Sequence, residues 1–500
     1  MFTPRAQYAF RHPLIRTVAY EAQLKAGRTE LHRRLAVAIE EHDPGAADEN
    51  AALIAENLEA AGDLRPAFDW HMRAGAWSAF RDIRAARTNW QRARQVADRL
   101  PADAPDRASL QIAPRNLLCG TLWRAGGSIA DTGFDELRDL CTAADDKVSL
   151  AIGMTGFIMA LTFHNRFREA AKVASEQSEL LESIGDPTLT VALLFAAIYA
   201  KCQAGEMIEA LRLSDRLIDL ADGDPTKGNL IFGSPLSTAI AMRGHVKMCL
   251  GIQGWLDDAA TSIAMAAPLD PTSYVFALLW KYVASIPFGA MPPDATAMRE
   301  TAEALRIAES SSDDFMLYMG RLSRGLVLVY RDGPKREAGL DLFTQARDAA
   351  LTAHFSLSAL TIVDPEFAME KAGAGDLDGG IETARAVVDG AYENGDMIWR
   401  GRATNVLVEL LIRRGSVADQ DEAQAAIERL AAVPTDPGFV LHELPLLRSR
   451  ALLALARGDE NSYRNFLERH RAKAAAVGFE ALMATADVTV IAPQHDSAAR

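Results

Sequence analysis

The fold is decided by the stretch LLFAAIYAKCQAGEMIEALRLSDRLIDLA, residues 193–221. An apolar helical segment leads up to Gly205, and an amphipathic segment with a 3.6-residue apolar period comes after it. Glycine permits the left-handed backbone turn that ends a helix. Ala210, five residues later, is small enough to lie where two helices cross closely. The stretch therefore predicts two antiparallel helices joined by a tight turn.

The same pattern, a glycine followed five residues later by Ala or Gly, recurs along the chain. It occurs at Gly62/Ala67, Gly254/Ala259, Gly333/Ala338 and Gly375/Gly380, with a related pair at Asn165/Ala170. The apolar stripe of the second helix is predicted at Ala338, Leu342, Ala346, Ala349 and Ala353 after Gly333, and at Ile381, Ala384, Val388 and Ala391 after Gly375. Each recurrence predicts another helix pair.

The spacing of these pairs predicts the architecture. Asp-Pro dipeptides at 186–187, 224–225 and 270–271 mark breaks whose prolines lie 38 and 46 residues apart. A helix pair that repeats at about 34–47 residues is typical of TPR, HEAT and related solenoids. We therefore predict an all-α fold, a TPR-like α-solenoid of stacked antiparallel helix pairs. The alternative is a generic helical bundle.

The turn GEMIEAL at 205–211 resembles the inter-helix turn of a tetratricopeptide repeat. A strict repeat has a small residue seven positions before the turn glycine. Ala55 and Ala368 fit that position, whereas Ile198, Lys247 and Leu326 do not. The sequence is therefore TPR-like and departs from the strict consensus.

Composition and charge narrow the function classes. Of the 500 residues 49% are hydrophobic, mostly Ala and Leu, which are strong helix formers. The net charge of −14 argues against nonspecific nucleic-acid binding by the whole chain. Residues 1–100 hold 15 basic and 13 acidic residues, and the rest holds 38 and 54. The first fifth is therefore chemically distinct from the other four fifths.

The cysteines and apolar runs predict a cytoplasmic protein without a membrane span. Four widely spaced cysteines, at 119, 141, 202 and 249, form no CxxC motif and are expected to be reduced thiols. The start MFTPRAQYAFRHP has no apolar core of an export signal. The longest uncharged run, Val148–Asn165, is interpreted as a buried helix because it contains polar residues and leads into arginines.

Residues 8–39, YAFRHPLIRTVAYEAQLKAGRTELHRRLAVAI, resemble the segment that closes the ATPase module of large bacterial signalling proteins. The matching residues are Phe10, Arg11, His12, Leu14, Ile15, Val18, Ala19, Tyr20, Leu31, His32, Arg33, Arg34 and Ala36. Those proteins join a STAND or AAA-type ATPase to a TPR-like tail, some with a class III adenylate cyclase domain and others with a LuxR-type helix-turn-helix. LEAAGDLRPAFDWHMRAG, 58–75, resembles the first repeat of that tail.

Later segments resemble the tail of actinobacterial cyclase–ATPase proteins. They are GDPTKGNLIFGSPL (223–236), WKY (280–282), RATNVLVELLIRRG (402–415) and LLRSRALLALARGDENSYRNFLERHRAKAAAVGFE (446–480). The sequence contains no P-loop, since it has no Gly-Lys dipeptide, and no counterpart of the cyclase domain's metal-binding Asp pair. The resemblance implies the C-terminal part of such a protein, beginning just before its ATPase ends.

The resemblance and the repeats together predict four segments. Residues 1–45 would be the end of an ATPase module or linking helices, and 46–110 the first helical repeats. Residues 111–485 would form the TPR-like helical array, and 486–500 a disordered tail.

Two sets of residues are candidates for binding. The first helices of stacked pairs line the groove of a solenoid, and the charged or aromatic residues there are Arg243, Lys281, Tyr282, Arg321 and Arg400. A basic helix near residue 90 carries Arg81, Arg84, Arg87, Arg92 and Arg94. It could bind phosphate or an acidic partner, but a solvated helix face is the preferred interpretation.

No residue pattern predicts catalysis, a metal or a cofactor. None of the ten histidines has metal-ligand spacing, and GxSxG is absent. The pairs Asp257-Asp258 and Asp313-Asp314 are interpreted as helix N-caps, and His12 and His32 as packing or capping residues.

The sequence thus predicts a non-catalytic regulatory or scaffold protein that binds a protein partner or ligand in its groove. The resemblance implies a cyclase or ATPase module, in cis or in trans, as partner. Two alternatives stay open. One is part of an ATP-dependent LuxR-type transcriptional regulator, which requires a helix-turn-helix that ATADVTVIAPQHDSAAR at the end does not supply. The other is an adenylate cyclase by family, although the catalytic domain has no counterpart here.

Overall fold

The computed structural model describes residues 12–79, 81–230, 233–311, 313–353 and 355–484. Within these ranges the chain forms 25 α-helices, two short 3-10 helices (Pro44–Ala46 and Ile129–Thr132) and no strand. The all-helical prediction is therefore confirmed, and the type of repeat stays a prediction. Two compact units are present: Met1–Leu118 with Asp139–Asp145, and Cys119–Arg138 with Asp146–Arg500.

The first unit contains five complete helices and most of a sixth. They are α1 (Pro13–Glu21), α2 (Lys25–His42), α3 (Ala51–Ala61), α4 (Leu64–Ser78), α5 (Ile83–Asp98) and α6 (Arg107–Gly120). The boundary predicted between residues 110 and 111 falls inside α6, whereas the observed division follows Leu118. The predicted tail, 486–500, lies outside the described residues.

The second unit contains the remaining helices, and one of them, α8, continues into the first unit. They are α7 (Leu122–Ala125), α8 (Phe134–Ala143), α9 (Lys147–Phe163), α10 (Phe167–Ile184), α11 (Pro187–Gln203), α12 (Met207–Ala221), α13 (Pro235–Cys249), α14 (Trp255–Ala266), α15 (Pro271–Tyr282), α16 (Ala295–Glu309), α17 (Asp314–Val329), α18 (Pro334–Ala353), α19 (Ser358–Gly373), α20 (Leu377–Asn394), α21 (Arg400–Arg414), α22 (Val417–Ala431), α23 (Val440–Ala456), α24 (Glu460–Val477) and α25 (Glu480–Ala484).

Consecutive helices of the second unit pack as pairs, and each pair packs on the next. The stretch at 193–221 forms α11 and α12, as predicted. Gly205 between them has a φ of +83°, and a Cβ there would lie 2.7 Å from Met397 Cγ. Ala210 is fully buried at the crossing. The turn therefore requires glycine both for its backbone conformation and for its close approach to a neighbouring segment.

The apolar stripe predicted after Gly375 is confirmed, because Ile381, Ala384, Val388 and Ala391 are all buried. The stripe predicted after Gly333 is confirmed only in its second half, where Ala346 is buried and Ala349 and Ala353 pack partly buried against the core. Its first member, Ala338, is exposed, and the buried residues of α18 are Gly339, Phe343, Ala346 and Ala350. Burying the large ring of Phe343 removes more apolar area from water than burying Ala338 does, so Phe343 fixes the buried face of this helix.

Aspartates set the starts of several helices. Asp186 and Asp270 cap α11 and α15, each with proline in the first turn, which explains why Asp-Pro marks the breaks. Asp313 caps α17, as predicted. The capping prediction for Asp257-Asp258 is wrong: Gly254 is the N-cap, and Asp258 is buried against Arg243 and Lys247 instead.

The apolar run predicted to be a buried helix is α9, and most of its residues from Ala151 onward are buried. Among the described residues no helix is both long and apolar enough to span a bilayer. All four cysteines are buried and form no disulfide.

Candidate functional site

A cavity of about 330 Å³ lies in the second unit, where α19, α21 and α23 come together. These are the first helices of three consecutive pairs. Its polar lining consists of Tyr330, Arg336, Glu366, Arg402, Asn405, Glu409, Arg448 and His470. Its apolar lining consists of Pro287, Phe288, Met369, Val406, Leu444, Pro445 and Leu482. The size lies at the lower end of the range for small-molecule sites.

Helix α21 supplies four lining residues, Arg402, Asn405, Val406 and Glu409. Their spacing of three, four and seven residues places them on one face of the helix. The opposite side of α21 is apolar and contributes to a buried cluster with α20 and α22. The local sequence therefore places the polar side of an otherwise buried helix against the cavity.

One wall of the cavity is a closed hydrogen-bond network around Arg402. Its guanidinium forms an ion pair with Glu366 and donates to the Tyr330 hydroxyl over 2.6 Å and to the Pro287 carbonyl over 3.0 Å. Tyr330 in turn donates to Glu366 over 2.7 Å. Burial, with the nearby charge of Glu366, raises the pKa of Tyr330 well above its usual value. The phenol therefore stays protonated and remains a donor.

This network keeps Arg402 protonated and positively charged. Burial alone would lower the pKa of Arg402, but Tyr330 and Glu366 outweigh it and raise the pKa above the usual value. Both terminal nitrogens of the guanidinium are engaged. This wall is therefore pre-organised and electrically balanced.

The opposite part of the lining retains unused hydrogen-bonding groups. Arg448 donates from Nη2 to Glu409 over 2.8 Å, and its Nε and Nη1 have no partner among the described residues. Asn405 accepts from Ser449 over 2.5 Å, and its amide nitrogen has no partner in the same part of the chain. His470 is 7% exposed, and its ring makes no hydrogen bond with a described residue.

His470 is uncharged at neutral pH. Burial, together with the positive charges of Arg448 and Arg471, lowers the pKa of His470 to about 4. A neutral imidazole offers one donor and one acceptor.

Three of the five groove candidates are engaged in ion pairs or hydrogen bonds between helices. Arg243 binds Asp258 over 2.7 and 3.0 Å and Asp215 over 3.2 Å. Lys281 and Tyr282 both contact Glu300, at 2.8 and 2.6 Å. These contacts join α13 to α12 and α14, and α15 to α16, so the structure gives each residue a packing role.

The other two candidates form no ion pair within the described part of the chain. Arg321 on α17 is half-buried and forms none with a described residue. Arg400 is 4% exposed and stacks 4.4 Å from the Tyr392 ring, and burial lowers the pKa of Arg400. None of the five lines the cavity, although Arg402, two residues after Arg400, does.

The predicted basic helix is α5, and its arginines point in different directions. Arg84 and Arg92 are exposed, Arg94 is half-buried, and Arg87 is buried and donates to the Leu118 carbonyl. Arg81, just before the helix, donates to the Trp77 carbonyl over 2.6 Å and stacks on the Trp77 ring. The five residues therefore do not form one continuous basic face.

The cavity residues were missed because neither a turn motif nor a basic run marks them. A signal was present: Arg402, Asn405 and Glu409 form a polar i, i+3, i+7 stripe within RATNVLVELLIRRG, a helix whose other residues are largely apolar. His470 gave no such signal, since its helix is polar on most sides.

The described residues contain no group of three or more His, Cys, Asp or Glu side chains that could hold a metal ion. Compared with models of known families and with curated proteins, the chain gives no match.

Proposed function

We propose that this chain is a non-catalytic regulatory helical-repeat protein, a TPR-like α-solenoid, that binds a ligand or partner in the groove formed by the first helices of its pairs. The observation that carries the proposal is the cavity between α19, α21 and α23, with unused donors on Arg448 and Asn405 and a buried, unpartnered His470 among the described residues.

Physical reasoning favours recognition at this place. The unused groups of Arg448 and Asn405 belong to half-buried side chains, so a ligand in the cavity can reach them. A cavity with a few convergent polar groups in a largely apolar lining is typical of a binding site. In repeat proteins the stacked first helices form the binding surface. The Arg402 network holds one wall rigid, which lowers the entropic cost of binding.

The resemblance to bacterial cyclase–ATPase proteins supports a place in signalling. In those proteins the tail would control a cyclase or ATPase module, and we propose such a module, in cis or in trans and in the cytoplasm, as the receiver of the binding signal. We accordingly expect that the purified chain neither hydrolyses ATP nor forms cyclic AMP. Turnover that persists through repurification and is lost on mutating this chain would contradict the non-catalytic proposal.

The test of binding is to block the cavity. Met369→Trp places a large ring in the lining, whereas Lys371→Trp adds the same ring on the exposed side of α19, outside it. Each protein is incubated with a small-molecule cell extract and gel-filtered, and the retained compounds are identified by mass spectrometry. We expect compounds that are retained by the parent and Lys371→Trp and lost from Met369→Trp. Equal retention by all three, or none by any, would contradict binding in the cavity.

A further inference from the structure

We infer that the cavity takes a small organic anion with a flat apolar body, whose carboxylate or phosphate head lies between Arg448, Asn405 and His470. This inference deepens the proposed function and rests on it.

The position of the head is determined by the donors that are free. Arg402 uses both terminal nitrogens on Glu366, Tyr330 and Pro287. Its Nε has no partner among the described residues, but this atom is buried and therefore not accessible to a head group. Arg336 is held by Glu370 and by the Val329 carbonyl. At the Arg448 end, three helices, α21, α23 and α24, each contribute a group with unused hydrogen-bonding capacity among the described residues. An acceptor-rich head can satisfy all three there.

The charges around the head group determine whether it is an anion or a cation. The lining carries three guanidinium groups and two carboxylates. Glu366 and Glu409 are each paired with an arginine. A second cation, Arg471, adds to the positive potential that Arg448 produces at His470, where their charges oppose protonation of the ring. An anion is attracted to such a position, whereas a cation is repelled from it.

The shape of the body is determined by the apolar lining. Phe288, Val406, Leu444 and Pro445 are buried and offer no hydrogen-bond donor from their side chains. A planar ring can pack against these surfaces while the head reaches Arg448. The cavity volume of about 330 Å³ accommodates a compact molecule of this kind.

The experiment uses four probes that share a phenyl ring and differ in the head: phenylacetate, phenyl phosphate, 2-phenylethanol and 2-phenylethylamine. Binding to the full chain is measured by ligand-observed NMR. For probes of this size we expect dissociation constants on the order of 1 mM for one or both acids. Comparing phenylacetate with phenyl phosphate shows which head is preferred. The alcohol and the amine should bind at least about tenfold more weakly, because they lack the acceptor charge.

Variants then locate the head. Arg448→Met combined with Glu409→Gln removes both partners, so that no unpaired charge is left in the cavity. Asn405→Leu removes one donor and keeps the ion pair. Both should weaken binding of the acids about tenfold or more. Arg450→Met, on the same helix but outside the lining, is the matched control and should bind as the parent does.

Each of the other possible results contradicts a different claim about the cavity. If the amine or alcohol binds as tightly as the acids and Met369→Trp abolishes it, the anion inference is wrong while the proposed function stands. If the acids bind equally to the parent and both site variants, the head is not at Arg448. If no probe binds even at about tenfold above the expected dissociation constant, the anion inference is also wrong, and the extract experiment decides the proposed function by itself.

Discussion

At the residue scale, the pKa of a buried basic group depends on whether neighbouring groups compensate for the effect of burial. Arg402 keeps its proton because Glu366 and Tyr330 compensate for burial, whereas His245 has no such compensation. Its ring is 4% exposed and lies edge-on to Trp280, with centroids 4.8 Å apart, and Nδ1 has no partner among the described residues. Burial lowers the pKa of His245 to about 3.

We therefore predict that the stability of the chain decreases as the pH falls and that the substitution His245→Leu weakens this pH dependence. The unfolded chain binds a proton at His245 near pH 6.5, but the folded chain does so only near pH 3. Stability is thus complete above pH 6.5 and falls as the pH decreases. This residue accounts for about 2 kcal/mol of the loss between pH 7 and pH 5. Urea unfolding at pH 7 and pH 5 measures the difference, with exposed His42→Leu as control. An unchanged pH dependence in His245→Leu would refute the assignment.

Residue roles were predictable where chemistry is local. Asp313 caps α17 because its carboxylate reaches the next backbone amides, and His12 caps α1 in the same way. The capping role predicted for Asp258 is wrong because its partners, Arg243 and Lys247, come from another helix. The cavity residues depend even more on distant contacts: Arg402, Tyr330 and Pro287 belong to three separate segments.

At the element scale, the turn pattern predicted the helix pairs, but the largest side chain decided which face of a helix is buried. In α18 Phe343 fills the core position, and Gly339, one turn earlier, lies against α17. A Cβ at Gly339 would be 2.6 Å from the Val329 nitrogen. The pattern of small residues points instead to the preceding residue, Ala338, because such a repeat alone does not fix the phase of a helix.

We predict that Gly339→Ala destabilises the chain although alanine is the better helix former. The backbone of α17 must move to admit the methyl group, which we expect to cost about 1–3 kcal/mol. The matched control is Gly390→Ala in α20, where the nearest atom to an added Cβ is 4.0 Å away. It should stabilise by about 0.5–1 kcal/mol. Chemical denaturation of both variants measures the two signs, and a stabilised Gly339→Ala would show that α17 and α18 do not cross so closely.

At the scale of the whole molecule, the repeat pattern and composition were sufficient to predict an all-helical chain. The resemblance makes a separate prediction about the first helix, α1. If residues 1–45 end an ATPase module, their apolar side chains either pack on the first repeat or stay exposed. Leu14, Val18 and Leu24 are 66%, 65% and 84% exposed, whereas Phe10 and the side chain of Ile15 lie outside the described residues. Helix α2 differs, because it holds Ala36 buried and pairs Arg33 with Asp63 over 2.7 Å.

We predict that α1 is the least protected helix of those described and that its apolar side chains promote self-association. Its Tyr20 reaches His32 over 3.0 Å, but the exposed Leu14 and Val18 bury little area to stabilise it. Hydrogen exchange with mass spectrometry should show faster exchange in Pro13–Glu21 than in Lys25–His42, and far faster than in the central helices α9 to α21.

A truncation separates the two parts of this prediction. Deleting residues 1–22 should leave the helical content of the rest unchanged, because the contacts of α2 with α3 and with the turn after it are retained. It should also lower self-association in analytical ultracentrifugation, since exposed apolar patches tend to find partners. Leu14→Glu with Val18→Glu in the intact chain should reproduce that decrease without changing length. If α1 is as protected as α11, or if the deletion unfolds α2 to α5, then α1 is an integral part of the first unit and this prediction is wrong.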